Sequence, residues 1–120
     1  MSERVEGGRV IHVPIVMALD CSAVLLSRCR KAATGRRLLV RACESAFAWK
    51  TAVSLQPSII VLPSHLHERE PERFSMLARE AGSRLVVLES EQLPLDQLAR
   101  MFSSALYSSA PVRAHASATD

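Results

Sequence analysis

Four short apolar runs, each followed by an amphipathic segment, are the feature that most constrains how this chain can fold. The runs are VPIVMAL from Val13 to Leu19, Leu38 to Val40, SIIVLP ending at Pro63, and RLVVL from Arg84 to Leu88. Short continuous apolar runs are typical of strands buried on both faces of a sheet. The segments between them carry apolar residues three and four positions apart, which indicates helices. This alternation predicts a parallel sheet with helices on its two faces and right-handed crossovers.

Residues that favour helix ends lie at the expected places between the runs. Serine favours the position before a helix, proline the first turn, and glycine the position after the last turn. The boundary residues are Ser22 and Gly35 for the first helix, Glu44 or Ser45 and Pro57 for the second, Pro71 and Gly82 for the third, and Pro94 for the fourth. The sequence therefore predicts an α/β three-layer sandwich with four parallel strands, and SIIVLP as the central strand.

The length of 120 residues, with 48% hydrophobic positions, fits one compact domain with an aliphatic core. We assign this domain to residues 12–109. The segment 1–11 mixes charges with glycines, and the segment 110–120 is rich in Ala, Ser and Thr, so both are expected to be flexible.

The composition also bears on where the protein works. The N-terminal residues carry charges of both signs rather than an apolar stretch, and no apolar run approaches the ~18 residues of a membrane span. Three cysteines without a Cys-x-x-Cys pair favour a reducing compartment over a disulfide framework. We therefore expect a cytoplasmic protein that is neither secreted nor inserted in a membrane.

The net charge of +3 is distributed unevenly along the chain. Between Arg28 and Lys50 there are seven basic residues and one acidic residue, Glu44, whereas acidic residues predominate from Glu68 to Asp96. A basic surface can bind phosphate-rich polymers, but no aromatic residues are interleaved with these cations as in many nucleic-acid-binding proteins. Nucleic acid is therefore disfavoured as the partner.

Polar residues follow the four predicted strands, and the carboxyl ends of parallel strands meet at one rim, where ligands gather. The residues expected at this rim are Asp20, Cys21, Ser22, Ala42, Cys43, Glu44, Pro63, Ser64, His65, Glu89 and Ser90.

Three segments resemble the receiver domain of bacterial response regulators, over residues 12 to about 90. IVMALDCSAVLL is similar to that family's first strand and acidic motif, ACESAFAWKTAVSLQPSIIVLP to its second helix and third strand, and VVLES to its fourth strand and switch residue. The resemblance implies a flavodoxin-like fold. It also implies a site where an acidic pair holds magnesium, an aspartate after the third strand takes a phosphoryl group, and a Ser or Thr and a Lys respond to it.

This chain departs from the receiver pattern at most functional positions. Asp20 matches the first acidic residue, but Cys21 occupies the second acidic position and Pro63 the phospho-acceptor position. Glu89 replaces the switch residue, with Ser90 adjacent, and a fifth strand with its Lys is not recognisable. A lone carboxylate beside a thiol is a poor magnesium site, and aspartyl phosphate needs a carboxylate nucleophile. The resemblance therefore implies a pseudo-receiver that is neither phosphorylated nor an enzyme, and that needs no cofactor.

We accordingly expect a protein-interaction module in bacterial signalling or regulation, which binds another signalling or regulatory protein or a second copy of itself. An exposed sheet edge, where a fifth strand is absent, is one candidate surface. The other candidate interaction residues are Arg28, Arg30, Lys31, Arg36, Arg37, Trp49, Leu98, Met101 and Phe102.

The alternative is catalytic and depends on Cys21. The sequence Cys-Ser-Ala after an apolar strand is similar to the phosphocysteine B component of sugar phosphotransferase systems, and a helix N-terminus can lower the pKa of a thiol. The neighbouring Asp20 opposes thiolate formation by its like charge. His65 and His67 lack the ligand spacing of a zinc site, so no metal is expected.

Overall fold

The computed structural model describes residues 3–6 and 9–107 of the chain. The strands are β1 (Glu3–Glu6), β2 (Arg9–His12), β3 (Ile15–Leu19), β4 (Leu39–Cys43), β5 (Ile59–Pro63) and β6 (Arg84–Leu88). The helices are α1 (Ala23–Ala33), α2 (Ala48–Leu55), α3 (Ser64–Arg69), α4 (Pro71–Ala81) and α5 (Leu95–Tyr107), and a 3-10 turn spans Ser45–Phe47.

Strands β3 to β6 form a four-stranded, wholly parallel sheet in the order β4-β3-β5-β6. Pairing runs from Ile15↔Leu39 to Leu19↔Cys43 between β3 and β4, and from Ile59↔Arg84 to Pro63↔Leu88 between β5 and β6. The predicted parallel sheet of four strands is therefore confirmed. The SIIVLP run forms one of the two central strands, and β3 forms the other.

Alternating side chains of the central strands contribute to two separate hydrophobic clusters. Ile59 and Val61 of β5 face the cluster that contains the buried residues of α1 and α5. Ile60 and Leu62 face the opposite cluster, which contains the buried residues of α2, α3 and α4. Because each face of the sheet is covered by helices, the fold is a three-layer α/β sandwich of the flavodoxin-like kind.

The predicted end residues Ser22, Pro71 and Gly82 occupy ends of α1 and α4, whereas α2 begins at Ala48, after the 3-10 turn, and not at Glu44 or Ser45. The Leu25 N–H donates to the Ser22 Oγ at 3.1 Å at the start of α1. Pro71 occupies the first turn of α4, and Gly82 ends that helix with a φ of 69°. A left-handed conformation of this kind favours glycine because other residues have a Cβ that crowds the following carbonyl.

One helix and two strands of the described residues were not predicted from the sequence. Helix α3 has only one buried residue, Leu66, so its sequence SHLHER lacks a hydrophobic period. Strands β1 and β2 pair in an antiparallel hairpin within the segment 1–11 and His12, where we expected a flexible N-terminus and no strand. The expected flexible tail, 110–120, lies outside the described residues. None of the described helices has the length and apolar character needed to cross a membrane.

Candidate functional site

The carboxyl ends of β3, β4, β5 and β6 lie along one edge of the sheet, which we call the carboxyl rim. Parallel pairing puts Leu19 beside Cys43 and Pro63 beside Leu88, so the residues that follow each strand emerge on the same side. The structure thus brings the predicted rim residues to one edge. What these residues can do depends on their individual contacts.

Asp20 connects the end of β3 to the turn that follows β4. Its N–H donates to the Cys43 C=O at 2.9 Å, and its Oδ1 accepts the Ser45 N–H at 2.8 Å. The backbone of Asp20 is left-handed, with a φ of 48°, a conformation that Asp and Asn tolerate better than most residues. Asp20 therefore acts as a strand-end and capping residue.

Arg73 of α4 holds the same turn through a second contact. Its Nη2 donates to the Ser45 C=O at 3.3 Å, and its Nη1 lies 3.2 Å from the Glu70 Oε1. The guanidinium also lies 5.5 Å from the centre of the Phe74 ring, within the range of a cation–π contact. Ser45 is thus held through its N–H by Asp20 and through its C=O by Arg73. Arg73 was not predicted from the sequence, because no local motif identifies it.

The Cys21 thiol is half-buried immediately before α1. Burial is the main cause that raises the pKa of this thiol from 9.0 to about 12, and the nearby Cys29, Asp20 and Glu91 contribute to the same rise by disfavouring a second negative charge. Burial also raises the pKa of Cys29, to about 11. Because a phosphocysteine carrier needs a thiolate nucleophile, these surroundings oppose the alternative role for Cys21. The three cysteines are free thiols.

Pro63, which the resemblance to receivers places at the phospho-acceptor position, is the last residue of a buried strand. Pro63 is buried, pairs with Leu88, and is followed at once by α3. Its side chain has no nucleophilic atom. On the neighbouring strand, Glu89 and Ser90 are exposed, and the Ser90 Oγ accepts the Gln92 N–H at 3.0 Å. Ser90 therefore stabilises the turn before α5.

The two histidines that follow β5 do not converge on a common point. His65 is exposed and His67 is half-buried, and both lie in α3, where residues two apart face different directions. Among the described residues, no three His, Cys, Asp or Glu side chains are grouped so that they could hold a metal ion.

The basic residues of the candidate interaction surface differ in their surroundings. The Arg28 Nη1 donates to the Leu93 C=O at 3.1 Å, and the Arg36 Nε donates to the Ser103 Oγ at 3.3 Å, so both tie α1 and its loop to the α5 region. Arg30, Lys31 and Arg37 are exposed. These three cations remain accessible to a partner.

The apolar residues predicted for the interaction surface are less accessible. Leu98 and Phe102 are fully buried in the core between α5, α1 and the sheet, and Met101 is half-buried against that core. The predicted amphipathic face of the last helix exists, but it packs against the sheet. Leu98 and Phe102 therefore cannot contact a partner in this structure. Trp49 is half-buried, and its Nε1 donates to the Glu80 Oε1 at 3.0 Å.

Several exposed apolar side chains were not identified from the sequence. Val53 is 72% exposed and Phe47 is 57% exposed, and both belong to the 3-10 turn and α2 region. Val53 and Trp49 line a shallow groove of about 220 Å³ between α2 and α4. Helical periodicity could have placed Val53 on the outer face of α2, but it could not have shown that α4 leaves this side open.

The chain matches no protein-family model and no curated protein.

Proposed function

We propose that this chain is a pseudo-receiver, a non-catalytic module that acts in bacterial signalling or regulation by binding another protein. It keeps the α/β scaffold while the side chains at its carboxyl rim serve the fold. The proposal places the protein in the cytoplasm, where its three free thiols would stay reduced.

The proposal depends on which side chains occupy the rim positions that a receiver uses for phosphorylation. The carboxylate of Asp20 accepts the Ser45 N–H, and the thiol of Cys21 stands where a second carboxylate would be needed. Pro63, at the acceptor position, is buried and has no nucleophile. A rim of this kind supports a binding role better than aspartyl phosphorylation, which requires a carboxylate nucleophile and an oxygen-rich cation site.

The available surface also supports a binding role. Arg30, Lys31 and Arg37 are exposed cations on α1 and the loop that follows it, and Val53 and Phe47 are exposed apolar side chains on the opposite helix layer. Arginine and phenylalanine are both enriched at protein interfaces relative to the rest of a protein surface.

Incubation with acetyl phosphate and magnesium tests the proposal. The intact mass of the protein should not change, while a phosphorylatable receiver treated in parallel should gain a phosphoryl group. Overturning the proposal requires an acid-labile or hydroxylamine-sensitive adduct on this chain. If the adduct forms, the Asp20→Asn variant shows whether the Asp20 carboxylate is the acceptor.

A further inference from the structure

The two edges of the sheet differ in how far they are open to a partner. Strand β6, at the edge where a fifth strand would lie, has no exposed residue along its length. Strand β4, at the opposite edge, exposes Leu39, Arg41 and Ala42 among its five residues. Leu39 is 37% exposed although it is a large apolar residue. The accessible edge of this sheet is therefore β4.

The backbone of β4 presents unpaired hydrogen-bonding groups at this edge. The Leu39 N–H donates to the Pro14 C=O at 3.0 Å, and the Cys43 C=O accepts the Asp20 N–H at 2.9 Å. In a parallel ladder alternate residues bond to the same neighbour, so the N–H and C=O of Val40 and Ala42 point away from β3. Within the described chain, β4 pairs with β3 alone.

Exposed cations without ion-pair partners among the described residues lie on β4 and on the two segments that precede it in the chain. Arg41 is exposed on β4 itself, Arg37 is exposed in the loop that leads into it, and Arg30 and Lys31 are exposed in the last turn of α1. Arg73 pairs with Glu70 and Arg100 pairs with Asp96, and neither of these ion pairs involves a cation of β4, of α1 or of the loop between them. The β4 edge is thus positively charged and has free strand-pairing groups.

We propose that the β4 edge binds an extended, acidic segment of a partner protein, which adds to the sheet as an additional strand. The N–H and C=O groups of Val40 and Ala42 pair with the backbone of this segment, and Arg41 and the neighbouring cations attract its carboxylates. This inference rests on the proposed function, because it names the surface and the class of partner of the same binding module.

Two other occupants fit the edge less well. A second copy paired antiparallel through β4 would bring its Arg41 to the seam beside the Arg41 of the first copy, and like charges across a strand pair are destabilising. A nucleic acid would use the cations but not the strand-pairing groups of Val40 and Ala42. The combination of charge and open backbone favours an acidic peptide segment.

Binding of a short, fluorescein-labelled peptide of alternating Glu and Val tests this inference at low salt. The full chain should bind this peptide at least tenfold more tightly than the matched peptide of alternating Lys and Val. N-methylation of alternate backbone amides should weaken binding by a similar factor, since it removes hydrogen-bond donors and leaves the carboxylates. Amide hydrogen exchange at Val40 and Ala42 should slow when the Glu-Val peptide is bound.

Substitutions separate the charge from the backbone contribution. Arg41→Glu replaces an attraction with a repulsion and should weaken peptide binding roughly five- to tenfold, as expected from exposed ion pairs. Lys50→Glu changes the net charge equally at an exposed site on α2 and should leave binding unchanged. Ala42→Pro removes an outward N–H, a substitution that edge strands tolerate, and should weaken binding, whereas Ala42→Thr should not.

The inference is overturned if the Glu-Val peptide does not bind, if its N-methylated form binds equally well, or if Arg41→Glu and Lys50→Glu have the same effect. Tighter binding of an oligothymidine of equal charge would also overturn it, in favour of nucleic acid. These failures differ from failure of the proposed function, which appears as a phosphoryl adduct in the intact mass. If no adduct forms and the Glu-Val peptide does not bind, the β4 inference fails while the proposed binding function stands, with a different surface as its site.

Discussion

Replacing Asp20 tests whether this residue is retained at the carboxyl rim for the fold. Two features of Asp20 bear on stability. Its Oδ1 accepts the Ser45 N–H at 2.8 Å, and its backbone is left-handed, with a φ of 48°. Asp20→Asn keeps an acceptor and tolerates this φ, Asp20→Gly keeps only the tolerance of φ, and Asp20→Ala keeps neither. The three variants therefore separate the hydrogen bond from the backbone conformation.

The expected losses follow from these two contacts. Loss of an exposed capping hydrogen bond costs about 1 kcal/mol. The left-handed conformation costs alanine roughly 1 kcal/mol. Asp20→Ala should therefore lower the free energy of unfolding by about 2 kcal/mol. Asp20→Gly should lower the free energy of unfolding by about 1 kcal/mol or less. Asp20→Asn should stay within ~0.5 kcal/mol of the parent.

Urea denaturation followed by circular dichroism measures these differences, provided that the dependence on urea concentration is the same for all variants. On heating, Asp20→Ala should unfold roughly 10 °C below the parent chain, given the usual sensitivity of a domain of about this size. A stability of Asp20→Ala equal to or above that of the parent would refute the structural role. Such a result would instead indicate that Asp20 is retained for binding or chemistry at the expense of stability.

Two further predictions concern the core and the buried thiol. Phe102→Ala leaves a cavity in the core and should lower the free energy of unfolding, measured in urea, by about 3–5 kcal/mol. Ser104→Ala, at an exposed position, should stay within ~0.5 kcal/mol of the parent. Equal losses for the two variants would contradict the burial of Phe102. The pKa of Cys21 is raised from 9.0 to about 12, so the unfolded thiol ionises first and the free energy of unfolding should fall as pH rises across that range. Cys21→Ala should flatten this fall, and an unchanged slope would contradict the burial.

The sequence predicted the carboxyl rim better than the roles of its residues. The position of each rim residue follows from the order of strands, because the ends of parallel strands meet at one edge. The partner of Asp20 could not be predicted in the same way, since Ser45 lies 25 positions further along the chain. Arg73, which holds the C=O of Ser45 from α4, was missed for the same reason.

The interaction surface shows a similar division between local and long-range information. The helical period correctly grouped Leu98, Met101 and Phe102 on one face, but the period does not say whether that face packs inward or contacts a partner. Packing against α1 and the sheet places Leu98 and Phe102 in the core. The open sheet edge was expected at the last strand, β6, where a fifth strand is absent. In the structure, β4 at the opposite edge is more exposed than β6.

The sequence by itself determined the α/β class, the parallel sheet of four strands and most helix ends. Hydrophobic period, capping residues and strand-forming runs depend on residues close together in the chain, so they can be identified without tertiary structure. Only the tertiary structure decided the strand order, the residue whose N–H Asp20 caps and the exposure of β4. These features arise from hydrogen bonds and packing between segments that are distant in sequence, and no local pattern encodes them.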